Sequence, residues 1–272
     1  MIKNSIELLD QESANSWEHL NCSPTDWDSE CGWELVHGGS GRFGAGCKIS
    51  KTYYSLDIPH YKAGVRFDLY IIDSWDFKGK FVSVNSSGEA LIVKIDEKIV
   101  FSDSMPKQTR SLDFGNFCGR GYNDFFQVYY NILDHELNEI KVEISADIDE
   151  NGCNESWGIS NFQLFFYICH SSCLTCSGPL STNCKTCYNG ASKNYNDECK
   201  CDGDNYMLFT ECKKYQCSNC VSSCPDRHYG NVTTKWCTLC DQSCWTCNGE
   251  LSNQCLKCIN GFFLTAARTV KK

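Results

Sequence analysis

The stretch Cys169–Cys187, CHSSCLTCSGPLSTNCKTC, occurs twice in this chain. The second copy, Cys240–Cys258, reads CDQSCWTCNGELSNQCLKC and starts 71 residues later. Both follow C-x3-C-x2-C-x7-C-x2-C. They also share Ser172/Ser243, Thr175/Thr246, Gly178/Gly249, Leu180/Leu251 and Ser181/Ser252, and each continues into Asn-Gly two residues past its last cysteine. A module repeated at a fixed interval implies successive structural units along the chain.

Cysteine usage also divides the 272 residues. Seventeen of the 22 cysteines lie between Cys169 and Cys258, and the first 168 residues hold only Cys22, Cys31, Cys47, Cys118 and Cys153. The first part has the aromatic and aliphatic content to bury a core. The second must be held by cross-links. Zinc is the competing use of C-x2-C pairs, but overlapping C-x3-C-x2-C spacings leave little room for separate tetrahedral cages, so disulfides are expected. Disulfides persist outside the cytosol, which implies an extracellular or cell-surface chain. Residues 1–17, MIKNSIELLDQESANSW, have no apolar core of a signal peptide. A processed or incomplete chain is therefore expected. No run approaches the ~18 apolar residues of a membrane span. A formal charge of −9 disfavours nucleic acid and anionic membrane surfaces as partners.

Three domains are expected: an N-terminal arm over 1–16, a β-sandwich over 17–168 and cysteine-rich repeats over 169–272. Residues 1–16, polar and with no assigned place in the sandwich, read as an arm or a lead-in strand and are a candidate for reaching a neighbouring molecule. Within 17–168, short apolar runs alternate with turn clusters and no helical period is sustained. In Gly64–Asp73, Val65, Phe67, Leu69 and Ile71 share one face while Arg66, Asp68 and Tyr70 share the other. Further strands are read at 33–37, 81–84, 90–95, 99–101, 125–133, 137–146 and 158–168. Residues 38–46, rich in glycine, and 103–123 are read as loops. The fold class is all-β: a jelly-roll-like sandwich followed by a disulfide-rich, loop-rich repeat rod.

The repeats resemble the furin-like, growth-factor-receptor type of cysteine-rich repeat. Cys173, Cys176, Cys184 and Cys187 match one unit, Cys244, Cys247, Cys255 and Cys258 another, and Cys220-x3-Cys224-Pro225 with Cys237-x2-Cys240 an intervening one. CGWELVHGG (Cys31–Gly39), KTYYSLDIPHY (Lys51–Tyr61), YIIDSWD (Tyr70–Asp76) and ESWGISNFQL (Glu155–Leu164) resemble the β-domain beside such repeats in ciliate cell-surface proteins. The resemblance implies an extracellular, non-enzymatic module and names no ligand. Spacing alone leaves connectivity open. The resemblance implies first-to-third and second-to-fourth bonds: Cys173–Cys184, Cys176–Cys187, Cys220–Cys237, Cys224–Cys240, Cys244–Cys255 and Cys247–Cys258. Cys199, Cys201, Cys212 and Cys217 would then pair among themselves. The remaining six are expected as Cys22–Cys31, Cys47–Cys118 and Cys153–Cys169.

No catalytic constellation emerges. There is no G-x-S-x-G elbow, no carboxylate pair is singled out for glycoside hydrolysis, and an even cysteine count leaves no spare nucleophile. His60 reads as a packed turn histidine. Asp73 and Asp76 end a strand and would suit a structural calcium ion, joined by Asp147, Asp149, Glu150 and Glu155 from another connection; turn-capping is the plainer use of such carboxylates. The acidic Glu7, Asp10 and Glu12 read as a solvated face. Sequons at Asn21, Asn85, Asn154 and Asn231 are candidate glycosylation sites. Trp17, Trp27, Trp33, Trp75 and Trp157 are available either as a carbohydrate platform or as core. The expected role is a structural or adhesion module that joins itself or related surface proteins into a filament or coat. The alternative is a calcium-dependent, lectin-like module or receptor ectodomain that contacts glycans.

Overall fold

A computed structural model describes residues 6–11, 16–22, 27–54, 56, 58–73, 75, 90–103, 112–113, 118–119, 124–212, 215–265 and 270–272. These residues form two compact units. One is Ile6–Leu56 with Lys62–Phe166, and the other is built on Asp57–Tyr61 and Tyr167–Lys272. Residues 57–61 go with the cysteine-rich unit for a local reason. The Cys169 N–H donates to the Pro59 carbonyl at 2.8 Å, and Tyr61 packs on the cluster of Cys169, Cys173, Cys176, Cys184 and Cys199.

The strands of the first part are β1 (Ile6–Gln11), β2 (Glu18–Leu20), β3 (Asp28–Cys31), β4 (Glu34–Phe43), β5 (Lys48–Tyr53), β6 (His60–Asp73), β7 (Ala90–Ile95), β8 (Lys98–Asp103), β9 (Leu112–Asp113), β10 (Phe125–Asp134), β11 (Ile140–Asp147) and β12 (Glu155–Ile168). The larger sheet runs β3-β4-β12-β6-β10-β9, with β1 also pairing β12, and the smaller runs β2-β5-β11-β7-β8. From β4 onward the chain passes back and forth between the sheets, as a jelly roll does. Over 6–11 the chain is a strand of the larger sheet, β1 pairing β12. The reading at 81–84 lies outside the described residues.

Alternation decides the core. Val65, Phe67, Leu69 and Ile71 of β6 are buried, as are Ile140, Val142 and Ile144 of β11 and Leu91, Val93 and Ile95 of β7. Phe67 stacks on Tyr129 at 4.6 Å between ring centroids, and Tyr129 meets Phe101 of the smaller sheet edge-on at 5.2 Å. In β12 the parity changes at Asn161, whose φ is +50°. Before it the odd residues Trp157 and Ile159 are fully buried; after it the even residues Phe162, Leu164 and Phe166 are. One left-handed residue thus keeps a 14-residue strand facing the core on both sides of the irregularity.

The glycine-rich run read as a loop is part of β4. Gly38 and Gly39 have φ of +97° and +94°. A Cβ on Gly38 would strike the Phe43 ring and the Trp157 carbonyl, and one on Gly39 would strike Ser29 Oγ. Pairing with β12 jumps from Phe43 opposite Trp157 to Gly38 opposite Gly158. Glycine here permits a bulged strand rather than ending one.

The cysteine-rich unit contains β13 (Cys173–Cys176), β14 (Cys184–Cys187), β15 (Ala191–Lys193), β16 (Cys199–Cys201), β17 (Tyr206–Cys212), β18 (Tyr215–Val221), β19 (His228–Asn231), β20 (Trp236–Leu239), β21 (Cys244–Cys247), β22 (Cys255–Cys258), β23 (Phe263–Leu264) and β24 (Val270–Lys271). The two copies agree in detail. Each has a two-stranded ribbon, β13 with β14 or β21 with β22, and between its strands a 3-10 turn, Ser181–Asn183 or Ser252–Gln254. The residues before those turns, Leu180 and Leu251, have φ/ψ of −89°/154° and −90°/152°.

Among the described residues nine disulfides form: Cys22–Cys47, Cys31–Cys118, Cys169–Cys176, Cys173–Cys184, Cys187–Cys199, Cys201–Cys220, Cys224–Cys237, Cys240–Cys247 and Cys244–Cys255. Cys153 and Cys258 are unpaired. Cys173–Cys184 and Cys244–Cys255 coincide with the pairing that the resemblance implies. Cys176–Cys187, Cys220–Cys237, Cys224–Cys240, Cys247–Cys258, Cys22–Cys31, Cys47–Cys118 and Cys153–Cys169 do not form. The repeat unit opens one cysteine earlier, at Cys169 and Cys240. The β13–β14 ribbon is bulged, with register shifts between Cys173 and Thr175 and between Thr175 and Cys176. Cys173 and Cys184 bond across it, leaving Cys176 and Cys187 for the flanking Cys169 and Cys199. The side chains of Cys212 and Cys217 lie outside the described set. Among the described residues, no helix is long and apolar enough to cross a membrane.

Candidate ligand-binding site

The second face of β6 is not a solvent face. Asp68, Tyr70 and Ile72 are buried there, because the β3–β4 hairpin packs beside them. Cys31, Val36, Tyr70 and Ile72 form one apolar cluster, with Cys118 and Phe126 against it. The Cys31–Cys118 bond ties the hairpin to the segment that precedes β10. Cys31 pairs Glu34 across a two-residue turn, and Gly32 has φ of +64°, as the first position of a type II′ turn requires. The other turn residue is Trp33, 95% exposed.

This packing leaves a cavity of about 310 Å³, lined by Trp33, Glu34, Tyr70, Phe126, Asp68, Asn161, Asp124, Gly32 and the Cys31–Cys118 bridge. All of it lies within the sandwich unit. Asp124 is committed to the scaffold: it accepts from the Asp73 N–H at 3.2 Å and the Cys118 N–H at 2.8 Å. Asp68, 7% exposed, accepts from the Asn161 side-chain amide at 2.7 Å through Oδ2. Its Oδ1 is buried without a hydrogen-bond partner. Burial pushes the Tyr70 hydroxyl pKa up, and the Glu34 and Asp68 charges add to that, so the ring stays a neutral phenol. An exposed indole, two further rings and a buried carboxylate oxygen with spare acceptor capacity make a surface for a small ligand with one apolar face and one donor.

The tryptophans considered from sequence divide sharply. Trp17 and Trp157 are core, Trp17 meeting Phe162 edge-on at 4.9 Å. Trp75 is buried and its indole N–H donates to the Ser156 carbonyl at 2.8 Å. Trp27 stacks on His19 at 3.9 Å. Trp33 alone of the five belongs to the cavity. Asp68, Asn161 and the aromatic pair Tyr70/Phe126 were not singled out by sequence. The alternation in β6 puts Asp68 and Tyr70 on one face with Arg66, and it carries no signal for Asn161 and Phe126, which come from other strands.

Asp73 is buried at the end of β6, and Gly119 packs so closely that a Cβ there would strike its carboxylate. Asp76 lies outside the described residues. Asp147, Asp149 and Glu150 are exposed, while Glu155 is buried and accepts from the Glu150 N–H at 3.4 Å. Among the described residues, no three His, Cys, Asp or Glu side chains converge as a metal cluster. His60 is buried with Nδ1 2.6 Å from the Ile58 carbonyl. Of the sequons, Asn21 and Asn154 are exposed and Asn85 lies outside the described residues. The Asn231 side chain accepts from the Thr233 and Thr234 N–H groups, both at 3.0 Å.

A second polar cluster joins the sheet edges. His37 of β4 lies 2.8 Å from Asp28 of β3 through Nδ1 and 2.9 Å from His19 of β2 through Nε2. Burial holds both imidazoles below the usual histidine range, against the opposing pull of Asp28.

No family model matches the chain. Its relatives are cysteine-rich repeat proteins. It is 35% identical over 101 residues to cysteine repeat modular protein 2 of Tetrahymena thermophila, covering 36% of this chain and 4% of that protein. It is 28% identical over 138 residues to the extracellular matrix organizing protein FRAS1 of Homo sapiens, covering 38% of this chain and 3% of that one. The chain thus spans a small fraction of these relatives' length. Among solved structures, the CBM22-1 xylan-binding domain of Paenibacillus barcinonensis Xyn10C aligns over 60% of this chain and 97% of its own, at 8% identity and a TM-score of 0.32.

Proposed function

We propose that this chain is an extracellular, non-enzymatic recognition module whose sandwich cavity holds a sugar residue and whose cysteine-rich repeats serve as a cross-linked spacer. The observation that carries this reading is that the exposed Trp33 and Asp68, a carboxylate with one oxygen lacking a hydrogen-bond partner, line one aromatic-walled cavity. Sugar rings offer an apolar C–H face to an indole and hydroxyl donors to a carboxylate. Nine disulfides and relatives named for cysteine repeats and the extracellular matrix support a site of action outside the cytosol. A glycan array followed by calorimetry on the full chain tests it. Weaker binding in Trp33→Ala is expected, and silence across the array would sink the reading. Running the titration with and without calcium also tests the Asp73/Asp76 expectation.

Assembly into a filament or coat is the second reading. Leu174 and Trp245, and likewise Leu180 and Leu251, occupy equivalent places in the two copies and are all exposed. Apolar side chains repeated at one interval suit lateral contact with a like-spaced partner. Sedimentation of the full chain over a wide concentration range decides this, with a monomer throughout counting against it.

A further inference from the structure

The cavity's charge narrows its ligand. Glu34, Asp68 and Asp124 line it, and among the described residues no lysine or arginine does. Asp124 has its charge spread over two backbone N–H donors. Asp68 has only the neutral Asn161 amide, and no ion pair reaches it. The nearest cation along β6, Arg66, donates to Gln163 Oε1 at 3.5 Å and is not part of the lining. A carboxylate removed from water without a counter-charge is costly. A hydroxyl would occupy Oδ1 but leave that charge uncompensated. An ammonium group would occupy and neutralise it together, and the faces of Trp33, Tyr70 and Phe126 attract a cation as well.

We propose that the residue held here carries a protonated amine, as a free, unacetylated amino sugar does, with the amine directed at Asp68 Oδ1 and the ring lying on Trp33. This inference rests on the carbohydrate reading above and specifies its ligand class. The apolar component is needed because Trp33 and Phe126 would otherwise present their surface to water. The amine is needed because Asp68 is otherwise an unpaired buried anion.

The experiment is calorimetric titration of the full chain with glucosamine oligomers, N-acetylglucosamine oligomers, neutral glucose oligomers and tetramethylammonium chloride. The expected result is binding of the glucosamine series alone among the sugars. Asp68→Asn should weaken it roughly 10- to 100-fold. Trp33→Ala should weaken it about tenfold, and Trp33 is so exposed that the variant folds as the parent does. Equal binding of acetylated or neutral oligomers would overturn the amine assignment and leave the carbohydrate reading standing. Binding of tetramethylammonium with no sugar response would overturn the amino-sugar assignment and the carbohydrate reading together. Silence with all four probes would do the same.

Discussion

Val270 stands to Cys258 as Cys199 stands to Cys187. In the first copy β15 and β16 pair Ser192 with Lys200 and Lys193 with Cys199. In the second, β23 and β24 pair Phe263 with Lys271 and Leu264 with Val270, the same register displaced by one repeat. Cys187 bonds Cys199 across a separation of 12, whereas Cys258 is unpaired and packs with Val270 on the Cys244, Cys247 and Cys255 cluster. The ribbon forms in both copies, so its pairing does not depend on that last bond.

Val270→Cys should therefore restore the missing cross-link. Peptide mapping under non-reducing conditions should show the introduced thiol bonded to Cys258, and the free-thiol count should fall by one. A loop of this size stabilises by about 3 kcal/mol in the chain-entropy model. A count that rises by one would show that the second copy's geometry differs from the first.

The copies diverge chemically at one turn. In the first, Ser172 directs its hydroxyl at His170 Nδ1 at 2.8 Å and its N–H at the same nitrogen at 3.2 Å. In the second, Ser243 donates both its hydroxyl and its N–H to Asp241, the latter at 2.9 Å. His170 accepts only while neutral, and burial holds its pKa below the usual 6.5. The unfolded chain therefore takes up the proton first. The contribution is intact above about pH 6.5 and is lost as pH falls through the lowered folded value. Asp241 is held below its usual 3.8 by the Ser243 hydroxyl and then by its N–H. Its contribution persists until pH drops through the carboxylate range. His170→Asn keeps a neutral acceptor that does not titrate. Its melting temperature should fall less than the parent's between pH 7 and 5, and an unchanged slope would rule out this role.

In the sandwich, His19 and His37 carry the same sign. Both pKa values are lowered chiefly by burial, and for His19 next by the His37 charge. Stability is again complete above about pH 6.5 and drains as pH falls through the folded values. The second proton on the pair is the costly one, since two imidazolium nitrogens 2.9 Å apart repel. His19→Gln leaves an amide facing His37 and should flatten the acid limb of the melting-temperature profile. A steeper limb would mean that His19 relieves His37 rather than burdens it.

The parts legible in sequence were those governed by period. Val65, Phe67, Leu69 and Ile71 announced a buried face, and the duplicated cysteine spacing announced duplicated ribbons. Spacing could not say where the unit opens, because Cys169 and Cys187 reach beyond the ribbon while Cys173 and Cys184 close it, and all four read alike in one dimension. Gly38 and Gly39 read as a break because glycine marks both loops and bulges, and only the approach of Phe43 and Ser29 distinguishes them. The cavity was hidden for a related reason. Asp68 and Tyr70 alternate as a wet face should, and a hairpin pinned through Cys31 to Cys118 is what covers them.

Asn161 ties fold and cavity together, and its two duties can be separated. Its φ of +50° lets Trp157 and Phe162 both face the core, and among the described residues its amide is the only hydrogen-bond partner of the Asp68 carboxylate. Asn161→Gly tolerates the backbone angle and removes only the amide, so it should cost about 1.5–3 kcal/mol, as for a hydrogen bond to a charged group. Asn161→Ala removes the same amide and keeps a Cβ at a left-handed angle that alanine tolerates less well than asparagine or glycine, adding roughly 1–2 kcal/mol relative to the glycine variant. Chemical denaturation of both variants beside the parent gives the difference directly. Equal losses would mean that the strand can shift its parity without this residue. An alanine variant more stable than the glycine one would mean that the left-handed angle is not maintained in solution.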